Sequence, residues 1–385
     1  MTASLDPRIA SWFGEDEHPE RSWELLHTAD RRVIESVALG GGEDPGYLDA
    51  QQYQDLPGDD RRRRMIAIER WTESKPYVRT TQLRAIERAL ASFPSPRPDD
   101  DPDLLDVPLI TGPPGSGKTY FLKRARVRAL CGSAWDRRLA LDYPAPTSDR
   151  LIVDEWRPVM FRSMDGNLRP KQFFRLLCEQ LGAPTGDDPQ RDFERAVRRH
   201  GVQWLFLDEM QMVNFDGQYG RYLQDALKAL QNMGLRLVLC GHNMRSMLGR
   251  QRTAAQLAAR EQFVARVAFL DINRYPRDQD HEVAEWRFIL RKLEARLRLS
   301  GHQPGETVLS EQFEEFLWVT TLGYVNALTT LVTKATVAAS KSPGQRLTER
   351  VFNDIRLNER VQPGRGRRLD QWRANTFLWS TDVKD

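Results

Sequence analysis

The chain has 385 residues, 40% of them hydrophobic and 29% charged, enough apolar mass for a core in two or three structural units. Its 57 basic and 54 acidic side chains leave a formal charge of only +3, so no bulk electrostatic argument for nucleic acid follows and any basic patch must be local. Three dispersed cysteines (Cys131, Cys178, Cys240) exclude a disulfide framework, the histidines show no metal spacing, no apolar run reaches a membrane span, and Met1–Asp6 lacks signal-peptide character, so the expectation is a cytoplasmic protein with no membrane partner.

Residues 1–75 are mixed. Trp12, Phe13, Trp23, Leu25 and Leu26 are scattered among charges, Gly40–Gly42 breaks the segment, and Arg61–Arg64 reads as a solvated basic helix face. Leu83, Ile86, Ala89 and Leu90 predict a helix over 79–93. The prolines at 94, 96 and 98, followed by Asp99–Asp101, then predict a hinge-like loop.

From 107 to about 275, apolar runs alternate with helical patterns, which predicts a parallel sheet with strands at 107–111, 157–162, 202–207, 235–240 and 267–271. The first run leads into Gly112-Pro113-Pro114-Gly115-Ser116-Gly117-Lys118-Thr119, which fits G-x-x-x-x-G-K-[ST] at every fixed position, and a helical start at Tyr120 follows. Strand, glycine loop and helix make a phosphate cradle. Inward-turned N–H groups and the helix N-terminus attract anions, Lys118 reaches the β- and γ-phosphates of ATP, and the Thr119 hydroxyl reaches Mg²⁺. A long irregular stretch, 132–156, is expected after this helix.

Hydrolysis needs further acids. Val202–Leu207 is an apolar strand ending in Asp208-Glu209, where Asp208 suits Mg²⁺ and Glu209 suits polarising the attacking water. A rival pair, Asp154-Glu155, ends the run Leu151–Val153 but leads straight into another strand, so 208/209 is preferred. The strand Leu235–Cys240 ends in Gly241-His242-Asn243, whose His242 and Asn243 are candidates to hydrogen-bond water or the γ-phosphate. Arg260 and Arg266 precede the last strand; Arg266 is the better candidate to balance charge at a neighbouring subunit's ATP.

Beyond 278 the pattern is helical, over 278–299, 310–321, 324–341 and 346–356. Arg365, Arg367 and Arg368 among glycines, then Trp372, Phe377, Leu378 and Trp379, read as a flexible tail that docks a partner; the alternative is that these aromatics fold back onto the helices.

This order (phosphate loop, Asp-Glu strand, polar strand end, late arginine, helical lid) resembles AAA+ P-loop NTPases, an α/β fold with a parallel sheet core and a C-terminal helical lid. Over roughly 75–356 the chain looks more narrowly like the TniB/TnsC transposition ATPases, kin to the MuB and IstB regulators. The matching stretches are Asp208-Glu209-Met210-Gln211, Phe263-Val264-Ala265-Arg266, Tyr275-Pro276-Arg277-Asp278 and Leu322–Leu328. The resemblance implies an ATPase core at 76–275 and a lid at 276–358; outside it lie an N-terminal helical or partner segment at 1–75 and a flexible basic-aromatic tail at 359–385. It further implies a ring- or filament-forming ATPase, with ATP and Mg²⁺ as cofactors, that links double-stranded DNA and a target-selection protein to a transposase. Asn326 stands where many AAA+ lids carry arginine, which implies slow, regulatory turnover. Arg162, Asn167, Arg169, Lys171 and Arg175 follow the second strand, where a pore-facing loop would bind the DNA backbone. The competing function is a protein-remodelling or signalling ATPase without a DNA role.

Overall fold

The computed structural model describes residues 5–40, 42–74, 76–93, 106–142, 155–166, 169–213, 217–249 and 264–379. The expected prolyl loop at 94–98, the rival Asp154, and Asn167 and Arg260 lie outside these residues. The chain divides into two compact units, one of Met1–Leu39, Ala85–Pro114 and Lys118–Ile272, the other of Gly40–Arg84, Gly115–Gly117 and Asn273–Asp385.

The first unit is built on five parallel strands: β1 (Val107–Thr111), β2 (Val159–Ser163), β3 (Trp204–Asp208), β4 (Arg236–Cys240) and β5 (Val267–Asp271). Their spatial order is β2-β3-β4-β1-β5. Leu109 faces Leu239 on one side and Phe269 on the other, and Leu207 also pairs with Leu239. β1 is buried at every position, as a central strand covered on both faces must be. The sheet core joins Leu205, Leu207 and Leu239 to Phe174 on the helix Pro170–Gln180 and Phe193 on the helix Pro189–His200.

The helix after the glycine loop runs through Lys118–Asp142, so the stretch expected to be irregular is helical as far as Asp142. Its apolar period is obscured because residues 5–39 pack along it, letting polar side chains be buried there. Arg138 is buried and bridges Asp16 and Asp142, each at 2.8 Å. Arg124 lies 4.2 Å over the Trp12 ring. Asp30 is fully buried between Arg157 at 3.3 Å and Arg126 at 3.9 Å. Burial pushes its carboxyl above the ordinary range, against the pull of Arg157 and Arg126.

The second unit is helical. Gly58–Glu73, Asp280–Glu294, Glu314–Thr321 and Val325–Ser340 enclose a core of Trp286, Ile289, Trp318, Leu328 and Phe352. A π-helical turn, Val308–Gln312, interrupts the helix expected over 310–321. Of the basic run Arg61–Arg64, Arg64 is buried and donates to the Pro45 and Gly46 carbonyls at 2.9 Å each, which removes it from a solvated face. Trp71 is capped by the Arg296 guanidinium at 3.6 Å and donates to the Arg296 carbonyl at 2.9 Å. Tyr275 N–H donates to the Gly323 carbonyl at 2.9 Å. Gly323 has φ +75°, and a Cβ there would lie 2.1 Å from the Tyr275 carbonyl, so only glycine fits. Two stretches that carry the family resemblance are thus one packing joint. Asn326 N–H donates to the Gly115 carbonyl at 3.3 Å. No single described helix is long and apolar enough to cross a membrane.

The described part of the tail, through Trp379, is folded onto the helices. Arg365–Arg373 is a helix, and Phe377 is buried against Trp318 and Trp379, with ring centroids 6.4 and 5.1 Å away. Arg365 donates to the Ile355 and Phe352 carbonyls at 2.7 and 2.9 Å, and Arg368 to the Pro363 carbonyl at 2.7 Å. Glycines on either side of the arginines suggested a linker, but Gly364 provides the left-handed turn that starts the helix. Removing the buried Phe377 ring should cost about 3 kcal/mol. Phe377→Ala is therefore expected to lower the melting temperature by roughly 6–12 °C in calorimetry.

Candidate active site

β1 and β4 are neighbours, so their carboxyl ends open side by side. β1 stops at Thr111 and the chain turns at Gly112 (φ 146°), Gly115 (φ 81°) and Gly117 (φ 102°) into the helix beginning at Lys118. Lys118 is 3% exposed, and its ammonium donates to the Gly112 carbonyl at 2.9 Å and the Pro113 carbonyl at 2.7 Å. Asn243 N–H donates to the same Gly112 oxygen at 3.0 Å, and Met244 N–H to Thr111 Oγ1 at 2.8 Å. The turn after β4 is therefore bonded to the start of the glycine loop. Pro114, Thr119 and Tyr120 are exposed along the loop and the first helical turn, whereas Ser116 is buried.

Asp208 closes β3, buried, and its Oδ1 accepts from Glu209 N–H at 2.8 Å. That bond turns the chain sharply, and Glu209 takes a left-handed φ of 58°. Cys240, in register with Ile110, has its thiol pushed well up by burial and by the hydrogen-bonded Asp208 carboxylate. Glu209 is about one-third exposed and accepts from Gln211 Nε2, with His242 Nε2 3.8 Å from the same oxygen. Gln211 Oε1 accepts from His242 N–H at 2.8 Å. The structure thus gathers Gly112, Lys118, Asp208, Glu209, His242 and Asn243 along one edge of the sheet. Gln211 joins them without having been assigned a role; its sequence signal is its place at the end of the stretch Asp208-Glu209-Met210-Gln211.

Glu155 precedes β2 instead of following it, so in a parallel sheet it lies at the opposite edge. Arg266 precedes β5, where its carbonyl accepts from Val107 N–H at 2.8 Å; its side chain is half-buried and engaged. Arg162 is paired with Asp165 at 3.1 Å and is mostly buried, while Arg169 and Lys171 are exposed at the start of the helix Pro170–Gln180. Among the described residues no cluster of three or more His, Cys, Asp or Glu side chains could hold a metal ion by itself. An exposed Thr119 hydroxyl and a buried Asp208 carboxylate are oxygen donors of the kind that share Mg²⁺ with nucleotide phosphates, so the residues fit that ion.

A model of the AAA domain family matches residues 106–246, which hold the glycine loop, Asp208-Glu209 and the turn after β4. Among solved structures, AMPPCP-bound DnaA from Aquifex aeolicus is similar over 72% of this chain and 67% of its own, at 14% identity and a TM-score of 0.37. Domain III of the Thermotoga maritima replication initiation protein DnaA is similar over 70% of this chain and 87% of its own, at 17% identity and a TM-score of 0.37. A Walker-type ATPase of Pyrococcus abyssi gives 14% identity and a TM-score of 0.36, over 72% of each chain. A comparison with curated proteins returns no match. With the glycine loop, the acid-ended β3 and the strand order β2-β3-β4-β1-β5, the segment 106–246 is an AAA-type P-loop ATPase domain of α/β fold.

Proposed function

We propose that the chain is an ATP-dependent, oligomeric DNA-binding regulator that links target DNA to a transposase. The observation that carries the ATPase half is the hydrogen-bonded edge running from Lys118 through Gly112 and Asn243 to His242, Gln211 and Glu209. The TniB/TnsC-like stretches support the transposition half, and the exposed Arg169 and Lys171 support contact with a DNA backbone.

In this reading ATP takes the Lys118 ammonium from the loop's own carbonyls, which are weaker partners than phosphate oxygens. The N–H groups of Gly115–Thr119 hold the β-phosphate, and Tyr120 lies beside the nucleotide. Thr119 and Asp208 hold Mg²⁺, which when bound neutralises phosphate charge. Glu209 orients and polarises the attacking water, and His242 and Asn243 fix the water or the γ-phosphate from the turn after β4. Arg266 acts on the ATP of a neighbouring subunit in a ring or filament. Of the segment expected to dock a partner, Phe377 is committed to the helical core while Leu378 stays exposed.

Lys118→Ala should weaken binding of a fluorescent ATP analogue by roughly 100-fold, the loss of two charge-assisted bonds worth about 3 kcal/mol. Glu209→Gln should bind the analogue normally but lose at least 100-fold in turnover; unchanged turnover would remove Glu209 from the base role.

Mixing Arg266→Ala with Lys118→Ala protein should restore part of the ATPase rate, because a mixed interface pairs one intact arginine with one intact nucleotide site. No recovery in oligomers shown to mix would place the arginine outside a shared site.

Duplex DNA should bind only with ATP and without sequence preference. Replacing Arg169 and Lys171 by alanine should make the slope of log affinity against log salt shallower by roughly 2, about one per lost phosphate contact. Absence of any salt-sensitive DNA shift would favour the protein-remodelling reading.

A further inference from the structure

Gln211 belongs to neither the phosphate loop nor the acid pair, yet both ends of its amide are used inside the site. Its Nε2 donates to Glu209 Oε2, and its Oε1 accepts from His242 N–H at 2.8 Å. Glu209 sits at φ 58°, a left-handed backbone region that does not itself fix the side chain. A carboxylate about one-third exposed swings among several rotamers unless something holds it. The 3.8 Å approach of His242 Nε2 is too long for a hydrogen bond. The amide of Gln211 therefore supplies the directional contact, and it occupies one carboxylate oxygen while leaving Oε1 for a water.

The other end of the amide reaches a backbone N–H that belongs to a short turn. One residue on, Asn243 N–H donates to the Gly112 carbonyl, which also accepts the Lys118 ammonium. We propose that Gln211 is a positioning residue that fixes the hydrolytic carboxylate of Glu209 by tying it to the turn Gly241–Asn243. This rests on Glu209 being the base of the proposed reaction. The glutamine does not touch ATP, so its effect falls on turnover and not on nucleotide affinity.

The test compares wild type, Gln211→Ala, Gln211→Met, Glu209→Gln and the double variant Gln211→Ala/Glu209→Gln. It measures ATPase kcat and KM, affinity for a fluorescent ATP analogue, and melting temperature. Gln211→Ala and Gln211→Met should each lower kcat roughly 10- to 100-fold, as small misplacement of a reacting group does. Analogue affinity should stay within about 2-fold of wild type, since uniform binding is untouched. Methionine keeps the volume of glutamine without its hydrogen bonds, so equal losses in both variants exclude a packing effect. The double variant should be no slower than Glu209→Gln, because Gln211 acts through Glu209. Wild-type turnover in Gln211→Ala alongside an inactive Glu209→Gln, full activity in Gln211→Met, or additive losses in the double variant would overturn the positioning role alone. Full turnover in Glu209→Gln would overturn the base assignment and this proposal together.

Discussion

The carbonyl of Gly112 is the point on which the site depends. A carbonyl has two lone pairs, and here one receives the Lys118 ammonium and the other the Asn243 N–H. One acceptor thereby joins the glycine loop to its own lysine and to the end of a different strand. It can do so because β4, though far from β1 in sequence, lies beside it in the sheet. The crossover that inserts β4 between β3 and β1 brings the Asp208-Glu209 corner and the Gly241–Asn243 turn to one edge, and Gln211 then spans the remaining gap.

Arginine does an unusual share of the structural work. Arg64, Arg296, Arg365 and Arg368 all donate to backbone carbonyls at the ends of helices or in loops. Five donors in a rigid fork let one side chain close several orphan acceptors at once, which a lysine cannot do. This explains why runs of arginine in the sequence misdirect. The same letters serve as solvated charge at Arg63, which pairs at 3.2 Å with Asp60, and as a buried clamp at Arg64.

The strands were legible because central parallel strands are short apolar runs bounded by polar or glycine residues. β1 and β5 fall at the expected residues, and β2 begins two residues late because Pro158 has no N–H to give; its carbonyl instead accepts from Gln203 and Trp204. The glycine loop was legible because its chemistry tolerates few residue types. Less legible was everything that rests on contacts distant in sequence. The second half of the helix Lys118–Asp142 buries Arg138 against Asp16 and Ser133 against Gln203, so it shows no single apolar stripe. The aromatics Phe377 and Trp379 carry no sign of the Trp318 against which they pack. Gln211 looks like an ordinary polar residue until the turn after β4 is placed beside it.

The packing of residues 5–39 and 40–84 against late parts of the chain has a consequence for synthesis. Asp16 meets Arg138 122 residues later, and Asp30 meets Arg157 127 residues later. At about 5–20 residues per second, Asp30 waits roughly 6–25 s for Arg157 to be made. Asp44 waits longer still for Arg298, 254 residues away. Trp12 likewise waits for Arg124, which caps its ring, whereas Trp23 has its cation partner Arg31 close by in sequence. The ion pairs that anchor the amino-terminal residues are accordingly among those completed late in synthesis.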